Sequence, residues 1–295
     1  AMGMQIANSP DFTNAKLLPL KKESIEWQLE GNDGIKTVFL RLKDKAGNYS
    51  TVYASNIILD RKAPENCEIR INNGEEWTTN ASGKVALSLT AADAYKMKIS
   101  NVPDLANAEW IPYRTSVGWA LPGQEGEHTV YALFADQAEN QSGIVSAKIK
   151  ADFTAPAVKT FSADGDKKFC NDPQKRLKLL IEAEGAHLMA IDNTSVNEAS
   201  SWEPYKTTKD WILGNEDGLK TVYARFKDLA GNVSAEQTLK IMLDRVPPIE
   251  NEIMINRNEE WLTDKDGKAT LFIKSNGASE MMLSNNPSFS TSKWE

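Results

Sequence analysis

Histidine is nearly absent from this 295-residue chain, which holds only His128 and His187. A zinc centre or a His-based nucleophilic set has few parts to draw on. Cysteine is equally scarce: Cys67 and Cys170 lie 103 residues apart, at non-equivalent places of the repeats described below. A disulfide needs Cα atoms within about 7 Å, so both are read as free thiols. Basic charge is not in excess either, with 34 Lys and Arg against 41 Asp and Glu and a net charge of −7. With both signs spread evenly along the chain, that argues against the basic face on which nucleic-acid binding depends. No apolar run approaches the roughly 18 residues of a membrane span, so no membrane insertion is expected. No signal peptide opens the chain. Ala1-Met2-Gly3 reads as a cloning remnant, so this absence is silent about location. Nucleophile-elbow, P-loop and dinucleotide fingerprints are all missing, and no enzyme is expected.

What the chain does have is repetition. Trp27, Trp119 and Trp211 are spaced by 92 residues, as are Asn48, Asn140 and Asn232, and Asp60, Asp152 and Asp244. Ala63-Pro64, Ala155-Pro156 and Pro247-Pro248 keep the same period. A period of this size marks an array of one structural unit.

Inside the unit the texture is β. Residues 220–228, KTVYARFKD, place Val222, Ala224 and Phe226 on one face and Thr221, Tyr223 and Arg225 on the other. Residues 84–91, KVALSLTA, alternate in the same way. Such period-2 runs are half-buried strands. Apolar runs with a 3.6-residue period extend no further than two turns. Between the strands stand Asn-Gly, Asp-Gly, Pro and Ser, which favour turns. Seven strands are expected in the second unit, over 68–77, 84–91, 96–100, 109–113, 118–121, 128–135 and 143–153. That count in some ninety residues predicts an all-β, immunoglobulin-like sandwich held by packing alone, with Trp119 and its equivalents in the core.

The junctions run strand, Asp, basic residue, Pro, strand, and proline interrupts a ladder and stiffens the chain. The expected division is a partial repeat over 1–62, whole repeats over 63–154 and 155–246, and a partial repeat over 247–295. The first part lacks its opening strands and the last lacks its closing ones, as in a piece cut from a longer array. An elongated rod with short, stiff joints follows. The partial ends also raise head-to-tail self-association, one molecule's last unit completing another's first.

Taken together, WEPY at 202–205, W-x-L at 211–213, DGLKTVYARFKDLAGNVS at 217–234 and I-x-L-D-x-x-x-P at 241–248 resemble the tandem Ig-like repeats of large bacterial extracellular proteins. The resemblance covers essentially the whole chain after Gly3. It implies a secreted or cell-surface location and a spacer, stalk or adhesive role, with neighbouring repeats as first partners. The alternative it leaves open is a module that binds carbohydrate or a protein partner. The first unit departs from the pattern: Leu17 and Leu20 stand where Trp110/Trp202 and Tyr113/Tyr205 stand.

Two candidate sites follow. Asp44, Asp136 and Asp228 precede the turn between the last two strands, while Asp60, Asp152 and Asp244 end each unit. Asp60 could therefore approach Asp136, with Asp93 or Glu65 near, and Asp152 could approach Asp228, offering oxygens to Ca²⁺ at the joint. The competing reading has each Asp accept hydrogen bonds from its own turn, and no D-x-D-x-D run favours the metal. No cofactor is expected, with calcium as the minority alternative. Glu139 replaces the turn glycines Gly47 and Gly231, which reads as a relaxed backbone demand. The second site is aromatic. Trp110 with Tyr113, and Trp202 with Tyr205, flank a proline and could stack on a glycan; the rival reading is an edge Trp that covers the end of the core.

Overall fold

A computed structural model describes residues 3–20, 24–197 and 199–295. The chain divides into two compact units, Ala1–Phe153 and Thr154–Glu295. Among the described residues the regular structure is β, apart from short 3-10 turns.

The first unit opens with strands β1 (Gly3–Ala7), β2 (Leu18–Pro19), β3 (Gly34–Lys43) and β4 (Tyr53–Leu59), which form one sheet in the order β2-β1-β3-β4. Residues 24–30, which carry Trp27, lie outside any assigned strand. A complete sandwich follows, built from β5 (Glu65–Ile71), β6 (Trp77–Thr78), β7 (Lys84–Ala92), β8 (Lys96–Ser100), β9 (Ile111–Pro112), β10 (Ser116–Ala120), β11 (Gly126–Ala135) and β12 (Val145–Ala151). One layer runs β10-β7-β5 and the other β6-β12-β11-β8-β9.

The second unit repeats this wiring with β13 (Ala157–Ala163), β14 (Phe169–Cys170), β15 (Arg176–Glu184), β16 (Leu188–Asp192), β17 (Glu203–Pro204), β18 (Thr208–Ile212), β19 (Gly218–Lys227) and β20 (Gln237–Leu243). Its layers are β13-β15-β18 and β14-β20-β19-β16-β17. The chain then forms a two-stranded sheet from β21 (Ile249–Ile255) and β22 (Leu271–Asn276).

The expected alternation sets the cores. Val85, Leu87 and Leu89 of β7 face Val130, Ala132 and Phe134 of β11, and Ile69, Ile71, Met97 and Ile149 fill the rest. Leu177, Leu179 and Ile181 of β15 face Val222, Ala224 and Phe226 of β19 in the same way. Cys67 packs against the first core and Cys170 lies within the second, both as free thiols.

One expected strand is two. The run over 68–77 breaks at a turn where Asn72, Asn73 and Gly74 all take positive φ, of 45°, 60° and 94°. β5 pairs antiparallel with β7 before this break, and β6 pairs parallel with β12 after it, so the chain changes layers. Asn72 Oδ1 accepts the Ala86 amide at 2.9 Å and holds the corner. Asparagine tolerates the left-handed region better than other side chains. Alternation stops at Asn72–Glu76, where no apolar residue stands, and Asn73-Gly74 is a turn signal that the strand expectation ran across.

The layers are also pinned by side chains. Trp119 on β10 donates Nε1–H to Asn101 Oδ1 at 2.8 Å, and Asn101 Nδ2 donates to the Ala120 carbonyl at 3.1 Å. Asn101 directly follows β8 in the opposite layer, so one amide bridges both sheets. Trp211 with Asn193 repeats the bond at 2.9 Å, and Trp27 with Asn8 at 2.8 Å. Trp119 and Trp211 are therefore half-buried edge covers and Trp27 is exposed, and none is the central core residue that the spacing suggested. An indole N–H needs a partner, and the layer edge supplies one.

Leu87 is fully buried at the centre of the first sandwich. Replacing Leu87 by Ala should destabilise that sandwich by about 2–5 kcal/mol, read from chemical denaturation followed at Trp119.

Candidate functional site: the repeat joint and its turn

The turn DxxGNxS uses each of its polar residues. Asp136 accepts the Asn140 backbone amide on Oδ1 at 2.9 Å and the Asn140 side-chain amide on Oδ2 at 2.8 Å. Its own amide donates to the Asn140 carbonyl at 3.1 Å. Asp44 with Asn48 and Asp228 with Asn232 make the same set. The final serine closes the ladder: Ser142 Oγ accepts the Phe134 amide, while the Ser142 amide donates to the Phe134 carbonyl. Ser50 with Leu42 and Ser234 with Phe226 do likewise.

The residue in the glycine position has φ of 97° at Gly47, 75° at Glu139 and 100° at Gly231. The backbone demand is thus unchanged where glutamate replaces glycine, contrary to the expectation of a relaxed position. Glu139 is held there while its carboxylate pairs with Lys96.

At the joint inside the first unit the turn reaches the preceding repeat. Asn140 Nδ2 also donates to the backbone carbonyl of Asp60 at 3.1 Å. Asp60 thus meets the turn through its main chain, while its Oδ1 accepts the Lys62 amide at 3.1 Å. A second clasp fixes the next residue. Asp33 takes the Arg61 backbone amide at 3.0 Å and its Nε at 2.7 Å, and Arg61 also donates to the Gly31 carbonyl. Asp217 holds Arg245 in the same way, and Glu125 accepts the Phe153 amide at 2.8 Å. These acidic clasps went unread in the sequence, although Asp33, Glu125 and Asp217 share the 92-residue period.

At the place where the sequence raised Asp60 and Asp136 as a minority calcium pair, the contact between the two segments is this amide-to-carbonyl bond. Asp136 is buried with both oxygens engaged by Asn140. Asp228 likewise spends its oxygens on its own turn, and the Asp152 amide donates to the Thr78 carbonyl. Glu65 pairs with Lys62. Among the described residues no three His, Cys, Asp or Glu converge as a metal-ligand set.

The aromatic candidates separate. Tyr113 turns inward, accepts the Ala91 amide at 3.1 Å and packs edge-on to Phe134 with ring centroids 5.9 Å apart. Tyr205 does the same with Ala183 and Phe226. Trp110 stays at the edge, with Lys96 Nζ 5.0 Å and Lys98 Nζ 5.2 Å from its ring centre, and Trp202 lies 4.1 Å from Lys227 Nζ. Tyrosine and tryptophan therefore form no shared stacking platform. Each indole already meets an ammonium group, an attraction of about 0.5–1 kcal/mol at an exposed site.

With the strand pairing in hand the fold can be assigned. It is an immunoglobulin-like β-sandwich. No protein-family model matches the chain, and no curated protein matches it by sequence. Among solved structures the chain is similar to the fibronectin(III)-like modules of Clostridium thermocellum CbhA, at 12% identity and a TM-score of 0.41, over 59% of this chain and 93% of that one. The assignment rests on the layers and their registers, not on that likeness. A sandwich of this class hosts many unrelated functions, so the fold by itself names no role. Among the described residues no helix is long and apolar enough to cross a membrane.

Electrostatics at the clasps set a pH dependence. The Arg61 amide and guanidinium hold Asp33 below the usual carboxylate range, the Asn48 side chain and amide do so for Asp44, and Arg245 does so for Asp217. A carboxyl with a lowered folded-state pKa adds stability above its unfolded value of about 3.9 and loses it as pH falls through the folded value. Melting midpoints should hold between pH 7 and 5 and drop below pH 4, and Asp33→Asn should blunt the drop. Glu139→Gly should stabilise the sandwich by up to about 1 kcal/mol, since glycine takes positive φ freely; unchanged or lower stability would deny the strain.

Proposed function

We propose that this chain is a non-enzymatic spacer segment of a larger bacterial secreted or surface protein, a stalk that carries other domains. The observation that carries this reading is the joint between Leu59 and Glu65. Asn140 grips the Asp60 carbonyl while Asp33 grips Arg61, so three bonds, one from the second repeat and two within the first, fix consecutive residues. Proline follows at position 64 and limits the remaining backbone freedom. A spacer has to carry orientation from one unit to the next, and the Asn140–Asp60 hydrogen bond, which crosses the joint, supplies resistance to bending. In this reading the joint is held without calcium, by Asn140 amides that bond both carboxylate oxygens of Asp136.

The second reading, a module that contacts cell-surface glycan or protein, draws on the half-exposed edges at Trp110 and Trp202. Those indoles lie on the outer strand edge, where a ligand would have to displace Lys96, Lys98 or Lys227.

Spin labels at Asn56→Cys and Lys148→Cys, with Cys67 and Cys170 replaced by serine, test the spacer reading. A narrow distance distribution that broadens in Asn140→Ala is expected; an already broad one would sink it. Millimolar Ca²⁺ should leave both the distribution and the melting midpoint unchanged, and a midpoint rise of several degrees would return the aspartates to a metal role. Glycan-array binding that disappears in Trp202→Ala with unaltered melting would favour the binding module.

A further inference from the structure

Two apolar sheet faces remain uncovered among the described residues, and they are complementary halves of one sandwich. The first belongs to the sheet β2-β1-β3-β4. Its Val38, Leu40 and Ile57 occupy the places that Val130, Ala132 and Ile149 hold in the complete sandwich, 92 residues on. There the three are buried; here Val38 and Leu40 are half-buried and Ile57 is 56% exposed against 2% for Ile149. Ile6, Ile25, Trp27, Val38 and Leu40 line a shallow apolar hollow on this face.

The second face belongs to β21 and β22. Ile253 opposes Ile273 and Ile255 opposes Leu271, and the ladder shifts register between Ile249 and Glu252. β5 and β7 pair in the same register, Ile69 with Leu89 and Ile71 with Leu87, with the same shift between Glu65 and Glu68. Ile69 and Ile71 are 4% and 2% exposed, whereas Ile253 and Ile255 are 60% and 56% exposed. β21 and β22 are therefore a preformed copy of the strand pair that covers the other layer in a finished sandwich.

We propose that β21–β22 of one molecule docks on the β1-β3-β4 face of a second copy and completes its sandwich, so that this chain assembles head to tail. The complete sandwich shows both what covers such a face and in what register. Charge agrees with the pairing: residues 1–62 carry nine Lys and Arg against seven Asp and Glu, while residues 247–295 carry five against eight. Opposite net charge steers such an encounter. Residues 281–283 border the donor face and correspond to β1 of the acceptor, so they swing aside on docking. The contact is heterologous and leaves a free head and a free tail after every addition, so growth is open-ended. Self-assembly goes beyond the spacer reading, which needs none, and labels within one molecule test that reading separately.

Sedimentation velocity of the full chain from micromolar to several hundred micromolar provides the test. A concentration-dependent series of dimers, trimers and longer species is expected. A head variant, Val38→Glu with Leu40→Glu, and a tail variant, Ile253→Glu with Ile255→Glu, should each be monomeric alone. An equimolar mixture should form dimers and stop there, because one good tail meets one good head. All four positions lie outside the complete sandwiches, whose unchanged melting serves as the folding control. A wild-type chain that is monomeric throughout overturns the proposal. So does a variant that assembles by itself like the wild type, or a mixture that stays monomeric or grows past the dimer.

Discussion

A sheet with one apolar face needs a second layer over that face, and the organisation of this chain follows from that need. In the complete sandwiches two layers meet, and Leu87, Phe134, Leu179 and Phe226 leave water together. Each large aliphatic or aromatic side chain buried there contributes about 1.5–3 kcal/mol, which lets a ninety-residue unit stand without a disulfide. Where a layer is present without its cover, as in β1–β4 and β21–β22, the same residue types stay open to water. Sequence equivalence is therefore not structural equivalence, since the partner layer decides whether an isoleucine is core or surface.

Polar side chains work where the apolar layers cannot. The Asn101 amide joins the layers at their edge, the Asp136–Asn140 pair closes the turn, and Asn140 extends that pair to the preceding repeat. A primary amide has two donors and two acceptor sites, so one asparagine serves its own turn and a neighbour at once. Carboxylates at Asp33 and Asp217 accept both a main-chain amide and a guanidinium, which fixes the strand exit as well as the side chain. The joint in the first unit is accordingly built from short-range bonds that have a long-range effect. A local turn and an inter-repeat contact share the same residue.

Strands were largely legible in the sequence because period-2 alternation in β7, β11, β15 and β19 reports the side of the sheet on which each residue lies. The corner at Asn72–Gly74 was legible only as a turn, because Asn-Gly marks a bend but not the change of layer that follows it. The aromatic edge was half legible. Trp110 and Tyr113 sit three apart around a proline, and spacing alone leaves them side by side, yet only Tyr113 packs against the core. Tyr113 turns in because its hydroxyl finds the Ala91 amide and the Leu89 carbonyl at the end of β7. Those partners come from a strand twenty residues earlier, beyond the reach of a local pattern.

The repeat length, the all-β class, the turn positions and the conserved phase of Asp, Asn and Ser within each turn are properties of the sequence by itself, since each depends on residues close together in the chain. The tertiary structure decided what those residues do. It set the Asn140 amide against the Asp60 carbonyl at the joint, moved the tryptophans from the core to its edge, and held Glu139 at a positive φ that its side chain does not favour. The reason is common to all three. Alternation specifies which face a side chain occupies, but only the folded layers specify which atom stands opposite.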